Sequence, residues 1–487
     1  CSDLVTLAQP AALPADPAAR SRIDAVQKDL AQAKASFSLG KYDDAKRMVD
    51  QVVESARDTR YPPLIARALG LRASVKSNGS EPKVAVPFYE EAFSAAEVAR
   101  TDELAASALL SMAETQGISA GRPEQGLVTA ALAGGVLERA GRPPKLEANR
   151  NRVVGELSAL QGETDRAISE HQQALEILER LGDQLDIAYD LSGLGWAQLD
   201  RGDVAGARAS LTRAMKIREA QLGSDHPSLL NSFNELSRLE QVQSNFDLSE
   251  SWARKGAQLN ERIFGHKNRR ACAFATNIVN SLVGGLRWRE AVDQARGALE
   301  LCTEVLGKNH PDLGMVRLMV GVALRGDGKP REALVEHRIA QVHLETLQAA
   351  HPPFYCMIHR EEGEDLLALG KAADALQQAL QAKQCFSAGT VEGSRMSETL
   401  LTEGRALVRL GHAPEAVPPL ERALQLCVAA KEGPEDQAEI QFVLAQALWK
   451  TKPVEARRQA REAEEKFESR KRGRDAQEVA AWRAGHG

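Results

Sequence analysis

Leu39-Gly40-Lys41-Tyr42-Asp43-Asp44-Ala45 reads as the end of one helix, a tight turn and the start of another. The last residue marks a series: Ala45, Ala85, Gly126, Ala167, Ala207, Ser249, Ala291, Ala333, Ala375, Ala416 and Ala456. Every member is small, and successive members stand 40 to 42 residues apart over nearly the whole chain. Seven residues after each anchor comes a second set, Val52, Ala92, Ala133, Ala174, Ala214, Gly256, Ala298, Ala340, Ala382, Ala423 and Ala463. Seven residues make two helical turns, so both sets lie on one helix face. Small residues there let a neighbouring helix approach closely. Five residues before the anchor, seven of the eleven copies have glycine: Gly40, Gly121, Gly162, Gly202, Gly328, Gly370 and Gly411. Glycine accepts the left-handed backbone that commonly ends a helix. Twelve before the anchor, eight copies are small, among them Ala33, Ala73, Gly155, Gly195 and Gly321.

Each unit therefore reads as helix A, a tight turn and helix B. One helix pair cannot bury its apolar face alone, whereas a stack of pairs makes a continuous core. The expected fold is all-α, a right-handed α-solenoid of about eleven stacked helix-turn-helix repeats. Residues 1–24 are expected to be a linker, 25–470 the array and 471–487 a C-terminal tail. Pro10, Pro14 and Pro17 suit an extended start. Residues 450–474 hold ten Lys/Arg and five Asp/Glu, the polar cap that an array needs.

Composition excludes several classes. The chain has 487 residues and a net charge of -5, so it carries no global basic field for nucleic acid. The short run Lys471-Arg472-Gly473-Arg474 reads as solvated tail. Hydrophobic residues make up 43% and charged residues 26%, as in a folded chain. No apolar run is long enough to span a bilayer. The six cysteines, Cys1, Cys272, Cys302, Cys356, Cys385 and Cys427, form no CxxC pair. They are too sparse for a disulfide scaffold, so a reducing, cytoplasmic setting is the expectation.

No phosphate-binding loop, zinc-protease helix, nucleophile elbow or kinase signature occurs, and no catalytic residue is assigned. No cofactor or metal is expected. His351, Cys356 and His359 stand close together in the sequence but read as loop histidine and core cysteine. Glu361, Glu362, Glu364 and Asp365 read as a solvated or groove-facing stretch rather than paired catalytic acids. Met315, Leu318, Met319 and Val322 read as packing between repeats, with a pocket of the groove as the alternative.

The small-turn-Gly-aromatic-Ala pattern resembles the tetratricopeptide repeat. Tyr42, Phe246 and Trp288 hold its turn-aromatic place, and Pro123, Pro330 and Pro453 replace it elsewhere. The usual repeat is shorter, and the longer form here resembles the kinesin-light-chain subclass. Ala214 to Pro227 and Ala298 to Pro311 match the end of its helix B and the following loop.

The resemblance implies that helix A lines a concave groove for a protein or peptide ligand. Positions 18, 15, 14 and 11 before each anchor would then face inward. They supply the candidate peptide-binding residues Asn149, Arg152, Asn231, Asn234, Arg238, Asn277, Asn280, Arg360, Glu364 and Arg405. Asparagine amides both donate and accept, which suits a peptide backbone, and arginine forks suit carboxylates. Asn234 and Asn277 match the family's clamp positions, whereas Leu318 and Met319 do not.

A second resemblance rests on Cys1 to Leu4, Leu13 to Val26, Phe37 to Tyr42 and Glu478 to Trp482. These stretches look like the repeat region downstream of the kinase domain in myxobacterial-type serine/threonine protein kinases. It implies a non-catalytic recruiting or sensing tail. The alternatives are a periplasmic lipoprotein anchored through Cys1 and the ligand-sensing half of a transcriptional regulator.

Overall fold

In the computed structural model the described residues are 12–39, 41–77, 82–310, 312–345, 352–387, 393–430, 432–470 and 472–486. Cys1, Gly40, Pro311, His351 and Lys471 lie outside them. The described residues form 23 α-helices and no strand. Every helix B begins three residues before its anchor: Tyr42, Pro82, Pro123, Thr164, Val204, Phe246, Trp288, Pro330, Ala372, Ala413 and Pro453. The all-α solenoid of helix pairs is therefore present in the register that the small residues set. The segment read as a linker contributes the first turns of the helix Pro17–Ser38, and the last segment contributes the helix Gly473–Gly485.

The small positions are buried because helices meet there. All eleven anchors are buried, and so are all eleven residues seven positions on. At the position twelve before the anchor, helix A presses on its own helix B. A Cβ on Gly155 or Gly321 would meet the ring of His171 or His337, each four residues past its anchor. The turn glycines Gly121, Gly162, Gly202, Gly328, Gly370 and Gly411 all have positive φ, between 65° and 83°. Where the same place holds Ser244 or Leu286, those residues take the left-handed conformation themselves, with φ 54° and 57°. At those two turns helix packing imposes the left-handed geometry without glycine, which elsewhere lowers its cost. Among the described residues two copies depart from the pattern: helix A of the third repeat ends in a π-turn, Thr115–Ser119, and Thr451, at the turn place of the eleventh, has no positive φ.

The long loops have their own stop signals. Gly223, Gly265 and Gly307, at 42-residue spacing, end their helices with φ between 75° and 88°. His226 and His310 then each accept a backbone N–H two residues on through Nδ1, at 3.2 and 3.1 Å.

The chain divides into two compact units, residues 1–243 and 244–487. The first holds repeats one to five and helix A of the sixth; the second begins with helix B of the sixth. Within each unit every helix packs on its chain neighbours. Helix A also packs on helix A of the next repeat, whereas no such packing joins successive B helices among the described residues. The A helices therefore occupy the tighter, inner side of each unit.

Two expectations are corrected. Cys272 and Cys302 form a disulfide, with Cα atoms 5.2 Å apart, and Cys356 and Cys385 form another, at 5.5 Å. Each joins helix A to helix B of one repeat, so residues 30 and 29 positions apart meet only once the hairpin has formed. For the acidic stretch the solvated reading falls and the groove-facing alternative is left: Glu361, Glu362 and Asp365 are 3%, 4% and 0% exposed. Leu318 is buried among Ala340, Leu344 and Ile358, as interrepeat packing requires.

Candidate functional site

The inner faces of successive A helices are tied together by opposite charges about one repeat apart. In the first unit the centre is Arg152, on the helix Pro144–Leu160. Its Nη2 donates to Glu114 of the preceding A helix at 3.0 Å and to Asn149 at 2.8 Å. Its Nη1 donates to Glu156 at 2.7 Å, and the guanidinium lies 4.6 Å over the ring of Tyr189, on the following A helix. Asn149 and Arg152 are therefore brought together as expected. They edge a cavity of about 410 Å³ that also presents Lys145, Asp186 and Tyr189. Burial raises the Glu156 carboxyl, with Arg152 opposing that rise. The Tyr189 hydroxyl is raised, first by the charge of Glu114 beside it.

The rest of the first unit's candidates follow on the helix Leu229–Val242. Asn231 is exposed and Asn234 half-buried. Arg238 is exposed and lies 4.8 Å over the ring of Trp196, so it is held by a neighbouring A helix. Nearby, Arg218 is buried and donates to Ser232, Ser192 and the Ala188 carbonyl at 2.7, 2.9 and 3.1 Å. Sequence reasoning missed it, because an arginine late in a helix B carries no inward register.

In the second unit, Asn277 and Asn280 stand half-buried on the helix Arg269–Gly284, and the Asn280 Oδ1 is buried without a hydrogen-bond partner among the described residues. Arg360, Glu364 and Arg405 belong to a longer charge ladder. Arg325, on the helix Leu313–Gly326, donates to Glu361 at 2.5 Å and to Asp365 at 2.9 Å. Arg360 pairs with Glu361 and lies 3.4 Å from Glu398. Glu364 accepts from Thr402 at 2.7 Å and from Arg405 at 3.2 Å. Arg405 reaches on to Glu439 at 2.8 Å.

His337 stands behind the ladder. Its Nδ1 lies 2.6 Å from Asp365 and its Nε2 lies 3.1 Å from the Leu318 carbonyl. Burial alone would raise the Glu361 carboxyl, but the Arg360 and Arg325 guanidiniums outweigh it and hold the group at about 2. Burial likewise acts to raise Glu364, and Arg405 and Arg325 bring it below the ordinary value.

The ladder borders a cavity of about 390 Å³. Leu367, Phe442, Val443 and Phe467 form its apolar part, and Arg405, Arg409 and Glu478 its charged part. The arginine forks of Arg152, Arg360 and Arg405 are thus already engaged by carboxylates of their own chain. The inner faces therefore present paired charges and an apolar floor rather than bare cations. Sequence reading missed Arg325 and Glu439, although each stands 34 to 40 residues from an oppositely charged partner. Among the described residues no group of His, Cys, Asp and Glu is arranged to hold a metal ion. Among them too, no helix is long and apolar enough to cross a membrane.

Comparison with known proteins gives a family for part of the chain. Residues 146–220 and 276–312 match models described as tetratricopeptide repeat. No curated protein matches the sequence. Among solved structures, BtubC (BKLC) from P. vanneervenii is 18% identical, covering 46% of this chain and 91% of its own, with a TM-score of 0.40. Yeast Tom70 is 14% identical over 95% of this chain and 96% of its own, with a TM-score of 0.42. A putative kinesin light chain of Podosopora anserina is 17% identical over 42% and 98%, at 0.38. The chain carries tetratricopeptide repeats, matched at residues 146–220 and 276–312 and set among eleven helix pairs of one register.

Proposed function

We propose that the chain is a non-catalytic protein-interaction scaffold that takes an extended peptide or partner segment along the inner faces of its A helices. The observation that carries this reading is the A-to-A packing within each unit, which collects polar and aromatic side chains around cavities of about 410 and 390 Å³. Asn234 and Asn277 are offered as backbone clamps. Arg238 and Asn231 supply exposed polar edges. A peptide selected from a random displayed library against the full chain tests it. Asn234→Ala should weaken a peptide bound in the first unit, and Asn277→Ala one bound in the second, by about tenfold, the worth of one or two good hydrogen bonds. Failure to select any peptide, or indifference to both substitutions, contradicts the reading.

The resemblance to kinase tails adds a finer proposal: the array recruits or senses on behalf of a serine/threonine kinase domain. The two disulfides favour a second setting, an oxidising compartment, in which a Cys-anchored lipoprotein scaffold would also work. The intact mass of the protein captured from its source separates these. A domain-sized excess of roughly 30 kDa or more supports the kinase tail. A mass near that of this chain plus acyl groups supports the lipoprotein.

A further inference from the structure

Both disulfides exploit one contact of the repeat. Cys272 and Cys356 lie nineteen residues before their anchors; Cys302 and Cys385 lie eleven and ten after. At the same place other repeats pack Ala148 in one cluster with Leu178, and set Gly314 against Leu344. The bonds therefore add a covalent tie to a contact that the helices make anyway.

The two pairs differ in access and in what they hold. Cys272 and Cys302 are both buried. Cys356 is buried too, but Cys385 is partly exposed. Thiol exchange needs an attacker to reach a sulfur, so access separates inert disulfides from labile ones. Cys356 also stands one turn before Arg360 on the helix Pro352–Ala368. That helix is the hub of the ladder, pairing with Arg325 and His337 on one side and Thr402 and Arg405 on the other.

We propose that Cys356–Cys385 is a redox-sensitive staple that sets the order of the ladder's central helix, while Cys272–Cys302 is a permanent one. A thiolate of a dithiol reductant attacks the Cys385 sulfur. The S–S bond breaks, Cys356 leaves as thiolate and takes up a proton. The reductant's second thiolate resolves the mixed disulfide, releasing Cys385 and closing the reductant's own disulfide. Two electrons pass to the cystine, and a disulfide oxidant reverses the step. Reduction frees the first turns of Pro352–Ala368 and unsettles the inner face that carries Arg360 and Glu364. Only the effect on ligand binding rests on the scaffold reading; the redox behaviour does not.

The test titrates the air-oxidised full chain with dithiothreitol, alkylates it at each step, and follows hydrogen exchange by mass spectrometry. Cys356 and Cys385 should become alkylated at a reductant concentration at least about tenfold lower than Cys272 and Cys302 require. Exchange across 352–368 should then rise about tenfold or more, with residues 144–200 unchanged. Cys385→Ser should show the raised exchange without reductant, and Cys272→Ser should keep the 352–368 response. Simultaneous opening of the two pairs overturns the proposal. So does opening without a change in exchange, or alkylation of Cys272, Cys302, Cys356 and Cys385 before any reductant is added. A chain that behaves as expected here but selects no peptide would sink the scaffold reading alone.

Discussion

Arg325 holds two buried carboxylates at once, Glu361 and Asp365, on the next A helix. Removing it leaves both acids without that partner in a site where desolvation is costly. Arg325→Ala should cost about 3 kcal/mol, far more than a surface pair is worth. Four of the five tryptophans, Trp252, Trp288, Trp449 and Trp482, lie in the second unit, so the urea midpoint by fluorescence reports on it. A loss below about 1 kcal/mol would mean that the ladder is not a structural network.

Glu361 gives the same network a pH signature. Its folded value of about 2 lies below the ordinary 4.5, so the unfolded chain binds more protons between those values. The stabilisation is complete above pH 4.5 and drains away as pH falls toward 2, by on the order of 3 kcal/mol. Glu361→Gln should flatten the fall of the urea midpoint between pH 5 and 3. An unchanged slope would contradict the assignment. Gly321 shows how tightly the register is packed. Gly321→Ala drives a Cβ into the His337 ring and should cost about 1–3 kcal/mol. Gly297→Ala, on an open face of the helix Trp288–Leu306, should instead gain up to about 1 kcal/mol. Thermal melts of the two variants should move in opposite directions.

At the scale of the element, the helix boundaries were legible and the side-chain partners were not. Anchors, turn glycines and the small positions on helix A recur every 40 to 42 residues, and recurrence is visible in one sequence. Arg325 lies eight residues before its anchor, off the inward positions, and its partners sit a full repeat away. The disulfides escaped for a related reason. Cysteines 30 residues apart form no short motif, and only the folded hairpin makes them neighbours. Repeat register does reveal them, because both pairs begin nineteen residues before the anchor and end ten or eleven after it. The tenth repeat has half of that pair: Cys427 stands eleven after its anchor and is buried, while nineteen before the anchor is Ser397. Ser397→Cys should therefore close a third disulfide. Non-reducing peptide mapping would find the linked pair after air oxidation, and two free thiols there would show that register alone does not bring the sulfurs together.

At the scale of the whole molecule, both units put their A helices inside, yet they differ in how those helices are tied. The first unit relies on packing, ion pairs and arginine-aromatic stacking, as at Arg152 over Tyr189 and Arg238 over Trp196. The second adds two covalent ties and the longest run of paired charges. Under the scaffold proposal, a ligand would lie along the inner faces of the A helices, against the cavity floors and the rims of the paired charges. The most direct test of that claim is a photo-crosslinking map of a selected peptide bound to the full, oxidised chain. The account predicts adducts on A helices, within 144–160, 229–242, 269–284, 352–368 or 394–409. Adducts confined to B helices, such as the exposed Val335 and Val342 face of Pro330–Glu345, would contradict it.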